Sequence, residues 1–149
     1  MNEEHAVRLR RAISRLSRRF NASSTDELLT PTEASVLADI AVFGGPCGIS
    51  DIVASQQINR TMLSRVVSRL VSLGAIVRTA DKGNLRAARL EVTPLGMQIH
   101  ERIRRQRAEA VSQAADRLSA SQRTRLLDAL SALEDLATEL ESASNQTNP

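Results

Sequence analysis

Residues 59–74, NRTMLSRVVSRLVSLG, restrict the fold of this 149-residue chain more than any other segment. Apolar residues recur at the spacing of a helix, so one side of the segment is apolar. Asn59 is a good N-cap, and Gly74 suits the position just after a helix end. The apolar side consists of Leu63, Val66, Val67, Leu70 and Leu73. Such a helix must bury this side against other elements.

The opposite face of this predicted helix carries arginine and hydroxyl side chains and no acid. At about 100° per residue, the side chains on this face, on its flanks or in the first turn are Arg60, Thr61, Ser64, Arg65, Ser68 and Arg69. Arginine can donate two hydrogen bonds to guanine O6 and N7, and hydroxyl groups can bond to bases or phosphates. These six residues are our candidates for contacts with double-stranded DNA. Taken alone, the helix would equally suit a solvated surface.

The preceding residues predict two further helices. The sequence TPTE at 30–33 is typical of a helix start, and GGPCG at 44–48 is typical of its end. Ser50 is predicted to be the N-cap of a short helix that continues to about Gln56.

Residues 75–93 predict a hairpin. Ile76 begins one strand, DKGN at 81–84 contains turn-forming residues, and Leu90 and Val92 alternate with polar residues as in a half-buried strand. Over residues 31–95, the order helix, short helix, helix, hairpin indicates a winged helix-turn-helix. The predicted fold is therefore mainly α with a small β-hairpin wing.

Helical segments at 1–22 and 96–142 flank this region, and residues 143–149 are predicted to be a disordered tail. Both segments carry apolar stripes beyond what a winged helix needs for its own core. The stripe residues are Leu9, Ile13, Leu16, Phe20, Leu126, Leu130, Leu133 and Leu140. We expect them to form a homodimer interface, because twofold dimers are the commonest oligomers. An intrachain helical bundle is the alternative.

The segment ISDIVASQQINRTMLSRVVSRLVSLGAIVRTADKGNLRAARLEVTPLG resembles the MarR family of bacterial transcription regulators. The similar features are the Ser-acid-apolar opening at 50–52, the helix at 59–74, and the hairpin that closes in VTPLG. The resemblance implies a homodimer with intertwined terminal helices. It also implies a small lipophilic or anionic effector that binds between the DNA-binding and dimer regions and weakens DNA binding. The ligand-binding residues are unknown at this stage.

The chain departs from the family pattern in two places, the wing and the turn. The family wing usually carries Asp-Arg-Arg, whereas this chain has Asn84, Leu85 and Arg86. Only Arg86 matches, as an arm for the minor groove or a phosphate, with Lys82 nearby. Gln57 stands where the family turn usually has glycine.

Composition and charge agree with a DNA-binding regulator. Residues 45–93 carry seven basic groups against three acids, a net charge of +4, whereas residues 119–149 carry two arginines against five acids. This asymmetry indicates an anionic partner for the middle of the chain. Only two aromatic residues occur, which argues against stacking-based recognition of single strands. The sequence contains no apolar run of about 18 residues, the length that indicates a membrane helix. We expect a cytoplasmic protein.

Catalytic and metal-binding patterns are missing from the sequence. His5 and His100 lie far apart, Cys47 is the single cysteine, and no glycine-rich phosphate loop follows a strand. We therefore expect neither an enzyme nor a metal or other cofactor.

We expect a homodimeric repressor that binds a pseudo-palindromic operator, since a twofold dimer presents two helices about one DNA turn apart. Two alternatives stay open. The altered wing would suit a protein-interaction module that has lost specific DNA binding. Cys47 would suit a thiol-based redox regulator, although a buried inert thiol is the simpler interpretation. The sequence does not distinguish a repressor from an activator.

Overall fold

The computed structural model describes residues 1–23, 28–56, 58–80 and 88–146. The chain divides into two compact units, one up to Ala110 and one from Val111 onward. The first unit contains α1 (Glu3–Ser23), α2 (Pro31–Val42), β1 (Cys47–Gly48), α3 (Ile49–Gln56), α4 (Arg60–Ser72), β2 (Ile76–Ala80), β3 (Ala88–Val92) and most of α5 (Pro94–Asp116). The second contains the end of α5, α6 (Ala120–Asp128) and α7 (Leu130–Gln146). The predicted fold class is confirmed, because the described residues are mostly helical with one small antiparallel sheet.

The core of the first unit lies among α2, α3, α4 and the sheet. Its largest fully buried apolar side chains are Leu37, Ile40, Ile52, Leu63, Leu70, Ile76 and Leu90. Truncation of such a leucine or isoleucine to alanine costs about 2–5 kcal/mol. The apolar side predicted for residues 59–74 therefore anchors α4 in this core.

The three strands form an antiparallel sheet in the order β1-β3-β2. Cys47 on β1 pairs with Leu90, and Ile76 on β2 pairs with Val92. The central strand β3 thus joins the segment before the helix-turn-helix to the strand that follows α4.

Side-chain caps fix the starts of α2 and α4. Thr30 Oγ1 accepts a hydrogen bond from Glu33 N at 3.3 Å, and Glu33 Oε2 accepts one from Thr30 N at 2.8 Å. Asn59 Oδ1 accepts a hydrogen bond from Met62 N at 2.8 Å. Both N-caps agree with the sequence prediction.

Three predicted helix boundaries differ from the structure. Ser50 lies inside α3, which begins at Ile49, and the Asp51 carboxylate accepts a hydrogen bond from Gly48 N at 2.8 Å. The last part of the predicted helical segment 96–142 is divided into α6 and α7 at Ala129. Helix α7 continues to Gln146, beyond residue 143, where the predicted disordered tail begins.

Candidate nucleic-acid interface

Helix α4 presents a polar face opposite its buried side. Leu63, Val67 and Leu70 are fully buried. The residues that remain exposed include Arg60, Thr61, Ser64, Arg65, Ser68, Arg69 and Ser72. All six α4 residues that the sequence analysis selected therefore lie together on the accessible part of one helix. No acidic side chain occurs within α4, so the face would not repel phosphate groups.

The first turn of α4 borders an open recess on the surface. Its volume is about 530 Å³, and it is lined by Glu33, Asn59, Thr61, Met62, Arg65 and Val66.

 A separate cleft of about 710 Å³ lies along α1 beside Arg15, Leu16 and Arg19. The α4 recess is the smaller of these two concavities and lies at the N-terminal end of the helix.

Met62 is a residue of this face that the sequence analysis missed. Its side chain is 43% exposed although it is large and apolar. The signal was its angular position, because Met62 lies about 100° from Leu63 around the helix and so falls outside the buried stripe.

A compact junction joins the end of α4, the sheet and the start of α5. Thr93 Oγ1 donates a hydrogen bond to the carbonyl oxygen of Gly74 at 2.6 Å, and the carbonyl oxygen of Ala75 lies 3.1 Å from the same hydroxyl. The hydroxyl oxygen accepts a hydrogen bond from Gly96 N at 3.0 Å. The Thr93 N–H also donates to Ala75 O at 3.0 Å. Gly74 has the left-handed φ of 70° expected just after a helix end. One threonine thereby links the segment that follows α4 to the start of α5.

The strand before α3 is tied to the wing. Cys47 Sγ donates to Leu90 O at 3.6 Å, and Arg89 Nη1 donates to Pro46 O at 3.1 Å. Burial raises the pKa of the Cys47 thiol, and the charge of Asp51 raises it further. A buried thiol with a raised pKa is a poor nucleophile, which argues against the redox alternative.

The predicted wing contacts, Lys82 and Arg86, lie outside the described residues, as do Gln57, Asn84 and Leu85. Arg78 on β2 and Arg89 on β3 belong to the described part of the hairpin, and both are exposed.

The predicted dimerisation residues are accessible in the single chain. In the first unit, Leu9 and Phe20 are partly exposed, and Ile13 and Leu16 are 42% and 54% exposed. In the second unit, the predicted residues are also exposed, namely Leu126, Leu130, Leu133 and Leu140. Each unit therefore carries its own apolar surface.

The described residues contain no group of three or more His, Cys, Asp or Glu side chains that could hold a metal ion. No helix in the described part of the chain is long and apolar enough to cross a membrane.

Comparison with known proteins identifies the central segment. Residues 29–88 match the sequence profile of the MarR family. The chain carries a MarR-family domain. The match includes α2, β1, α3, α4 and β2, and therefore includes the helix that carries the exposed arginine face. DNA binding and regulation by effectors are typical of this family, whose members are transcriptional regulators.

Solved structures share the fold beyond the MarR-family domain. A candidate transcriptional regulator from Pseudomonas aeruginosa PA01 is 26% identical, with a TM-score of 0.79 over 91% of this chain and 94% of that one. The transcriptional regulator SlyA is 21% identical, with a TM-score of 0.70 over 94% and 99% of the two chains. BpsR from Bordetella bronchiseptica is 21% identical, with a TM-score of 0.62 over 89% and 99%. No curated protein matches the chain by sequence.

Proposed function

We propose that the chain is a homodimeric repressor that binds a pseudo-palindromic operator in double-stranded DNA and is released by a small effector. In this proposal, residues 31–95 are the DNA-binding region. Residues 1–22 and 96–142 are the dimerisation region.

The exposed face of α4 carries the proposal. Three arginines and several hydroxyl groups share this face with no acid, and Asn59 caps the first turn. In helix-turn-helix proteins the N-terminal residues of the second helix contact base edges in the major groove. Arg65 is the best candidate for a guanine, because it lies in the N-terminal half of α4 and faces away from the core. Arg60 and Arg69 are suited to phosphates or neighbouring bases.

The exposed leucines support a homodimer. Leu16 on α1 and Leu140 on α7 are more than half exposed, at 54% and 59%. Scattered exposed leucines are common, but rows of them at helical spacing on two elements favour a partner surface. A twofold axis would present the two α4 helices to half-sites about 34–36 Å apart.

A cleft between α2 and α5 in the first unit is suited to a small anionic effector. It has a volume of about 150 Å³ and is lined by Ala34, Ala38, His100, Ile103, Arg104 and Arg107. Arginine side chains on one wall and apolar groups on the other suit a carboxylate attached to a small ring. Typical ligand pockets begin at about 300 Å³, so only a compact ligand would fit. The structure of BpsR concerns regulation of its DNA binding by 6-hydroxynicotinic acid, a ligand of this chemical class.

Binding to DNA tests the proposal first. Purified protein is titrated by fluorescence anisotropy against the duplex upstream of its coding region, at two salt concentrations and with random duplex as competitor. Specific binding that resists the competitor and weakens steeply with salt is expected.

Two matched variants assign this binding to α4. Replacement of Arg60, Arg65 and Arg69 by glutamine removes three positive charges from α4. Replacement of Arg8, Arg11 and Arg15 by glutamine removes the same charge from α1. Only the α4 variant should lose specific binding. Equal losses of binding in the two variants would show that DNA binding depends on net charge and not on α4.

Failure to bind the upstream duplex leads to selection from a random pool. Failure to select any sequence would refute the proposal and favour the interaction-module alternative. If DNA binding is found, 6-hydroxynicotinate and benzoate are tested for release, with Arg104→Gln as the variant that should respond less. Release that is unchanged in this variant would exclude the cleft as the effector site.

A further inference from the structure

Met62 is a large apolar side chain of α4 that lies outside the buried stripe of the helix. It is 43% exposed, whereas its neighbour Leu63 is fully buried. Its backbone N–H donates to Asn59 Oδ1 at 2.8 Å, which fixes the residue in the first turn. Burial in the core therefore does not explain a methionine here.

The surroundings of Met62 are those of a base contact. Met62 lines the recess at the start of α4 together with Thr61 and Arg65. Glu33, which also lines the recess, holds its carboxylate on the Thr30 N–H at 2.8 Å. The recess that Met62 lines thus contains a hydroxyl group and an arginine, and its one carboxylate is engaged by the backbone.

The spacing from Met62 to Arg65 corresponds to about one base step. Residues three apart on a helix differ by about 4.5 Å along the axis and lie on neighbouring rows. Successive base pairs are separated by about 3.4 Å. If Arg65 contacts a guanine, Met62 can reach the adjacent base pair. The only apolar group that a base presents in the major groove is the 5-methyl group of thymine.

We propose that Met62 is a specificity-determining residue that contacts the 5-methyl group of a thymine next to the guanine contacted by Arg65. This inference rests on the proposed DNA-binding function. The flexible, polarisable thioether can adjust to a methyl group at the groove edge, and its sulfur is only a weak acceptor for a cytosine amine in the same place. The half-site should therefore contain a thymine and a guanine as neighbours.

Deoxyuridine substitution isolates this contact. Operators are first selected from a random duplex pool with the full-length wild-type chain and with Met62→Ala. Each thymine beside the conserved guanine is then replaced by deoxyuridine, which removes only the methyl group. Wild-type affinity should fall by about fourfold at one thymine, the effect of one buried methyl group. Met62→Ala should bind the thymine and deoxyuridine duplexes equally.

Two controls keep the outcome specific. Val71→Ala truncates another exposed apolar residue of α4, 38% exposed in the last turn, and it should keep the wild-type response to deoxyuridine. Met62→Leu should restore part of the thymine preference. The inference is overturned if wild-type protein is indifferent to every deoxyuridine, or if Met62→Ala keeps the full preference. Failure to select any operator would instead overturn the proposed function itself.

Discussion

Gly96 provides a sharp test of the junction between α4, the sheet and α5. A methyl group on its Cα would lie 1.9 Å from the Ala75 carbonyl oxygen, 2.8 Å from the Ala75 carbonyl carbon and 3.0 Å from Val92 Cγ2. Relief of the first contact requires a separation of about 3.5 Å, so the segments around Gly96 and Ala75 must move apart by about 1.6 Å. The Ala75 carbonyl oxygen cannot move freely, because the Thr93 N–H donates to it at 3.0 Å.

The expected sign is opposite to that of an ordinary helical glycine. Replacement of glycine by alanine in a helix interior gains about 1 kcal/mol. At Gly96 the backbone clash should outweigh this gain, and we expect a net loss of about 2–4 kcal/mol in the free energy of unfolding. Gly45 is the matched control. A methyl group there meets nothing within 4 Å, so Gly45→Ala should change the free energy by less than about 0.5 kcal/mol.

Urea unfolding followed by far-UV circular dichroism measures both variants at one fixed protein concentration, since association would change apparent stability. Gly96→Ala should lower the midpoint without a large change in slope. A Gly96→Ala protein as stable as wild type would refute the described approach of α5 to Ala75.

Further predictions concern DNA, assembly and the thiol. Arg65→Ala should cost about 1–3 kcal/mol of specific binding if Arg65 contacts a base; unchanged competition against random duplex would remove that role. Arg86→Ala should weaken binding to all sequences and reduce the slope of log affinity against log salt by about 0.9 for each wing contact, or about 1.8 for the homodimer, whereas a sequence-selective loss would indicate base contacts by the wing. Leu16→Glu should shift the dimer to monomer in sedimentation velocity, whereas Val42→Glu, at a residue 81% exposed, should not; a dimeric Leu16→Glu protein would exclude α1 from the interface. Cys47→Ser should leave release by peroxide unchanged. The pKa of the Cys47 thiol is raised in the fold. The contribution of this thiol to stability is therefore present below the ordinary thiol pKa and is lost as pH rises through the folded pKa. At alkaline pH, the urea midpoint of the wild-type protein should fall more than that of Cys47→Ser.

Local chemistry made much of the DNA-binding half predictable. The caps Thr30 and Asn59 act within three residues of themselves, and the apolar stripe of α4 follows from its spacing alone. Ser50 failed as a predicted cap because Asp51 bonds to Gly48 N and the helix begins one residue earlier than Ser50. The choice between Gly48 and Ser50 as the cap position depends on how β1 pairs, which local sequence does not encode.

Contacts between distant residues could not be predicted in the same way. The division at Ala129 interrupts a periodic apolar stripe at a residue that favours helices. The close approach of Gly96 to Ala75 joins residues far apart in sequence, and the glycine alone does not name its neighbour. Met62 was missed for a different reason, because its role depends on exposure rather than on residue type.

The strand order of the sheet also determines when the fold of the first unit can form during synthesis. The thiol of Cys47 and the carbonyl of Leu90 are 43 residues apart, and α3, α4 and β2 all lie between them in the chain. A nascent chain that ends before β3 leaves β1 and β2 without their shared central neighbour, since the strand order is β1-β3-β2. The helices can form early, but closing so long a loop delays the sheet. Helix α4 is therefore expected to acquire its final orientation only after residues 88–92 have left the ribosome.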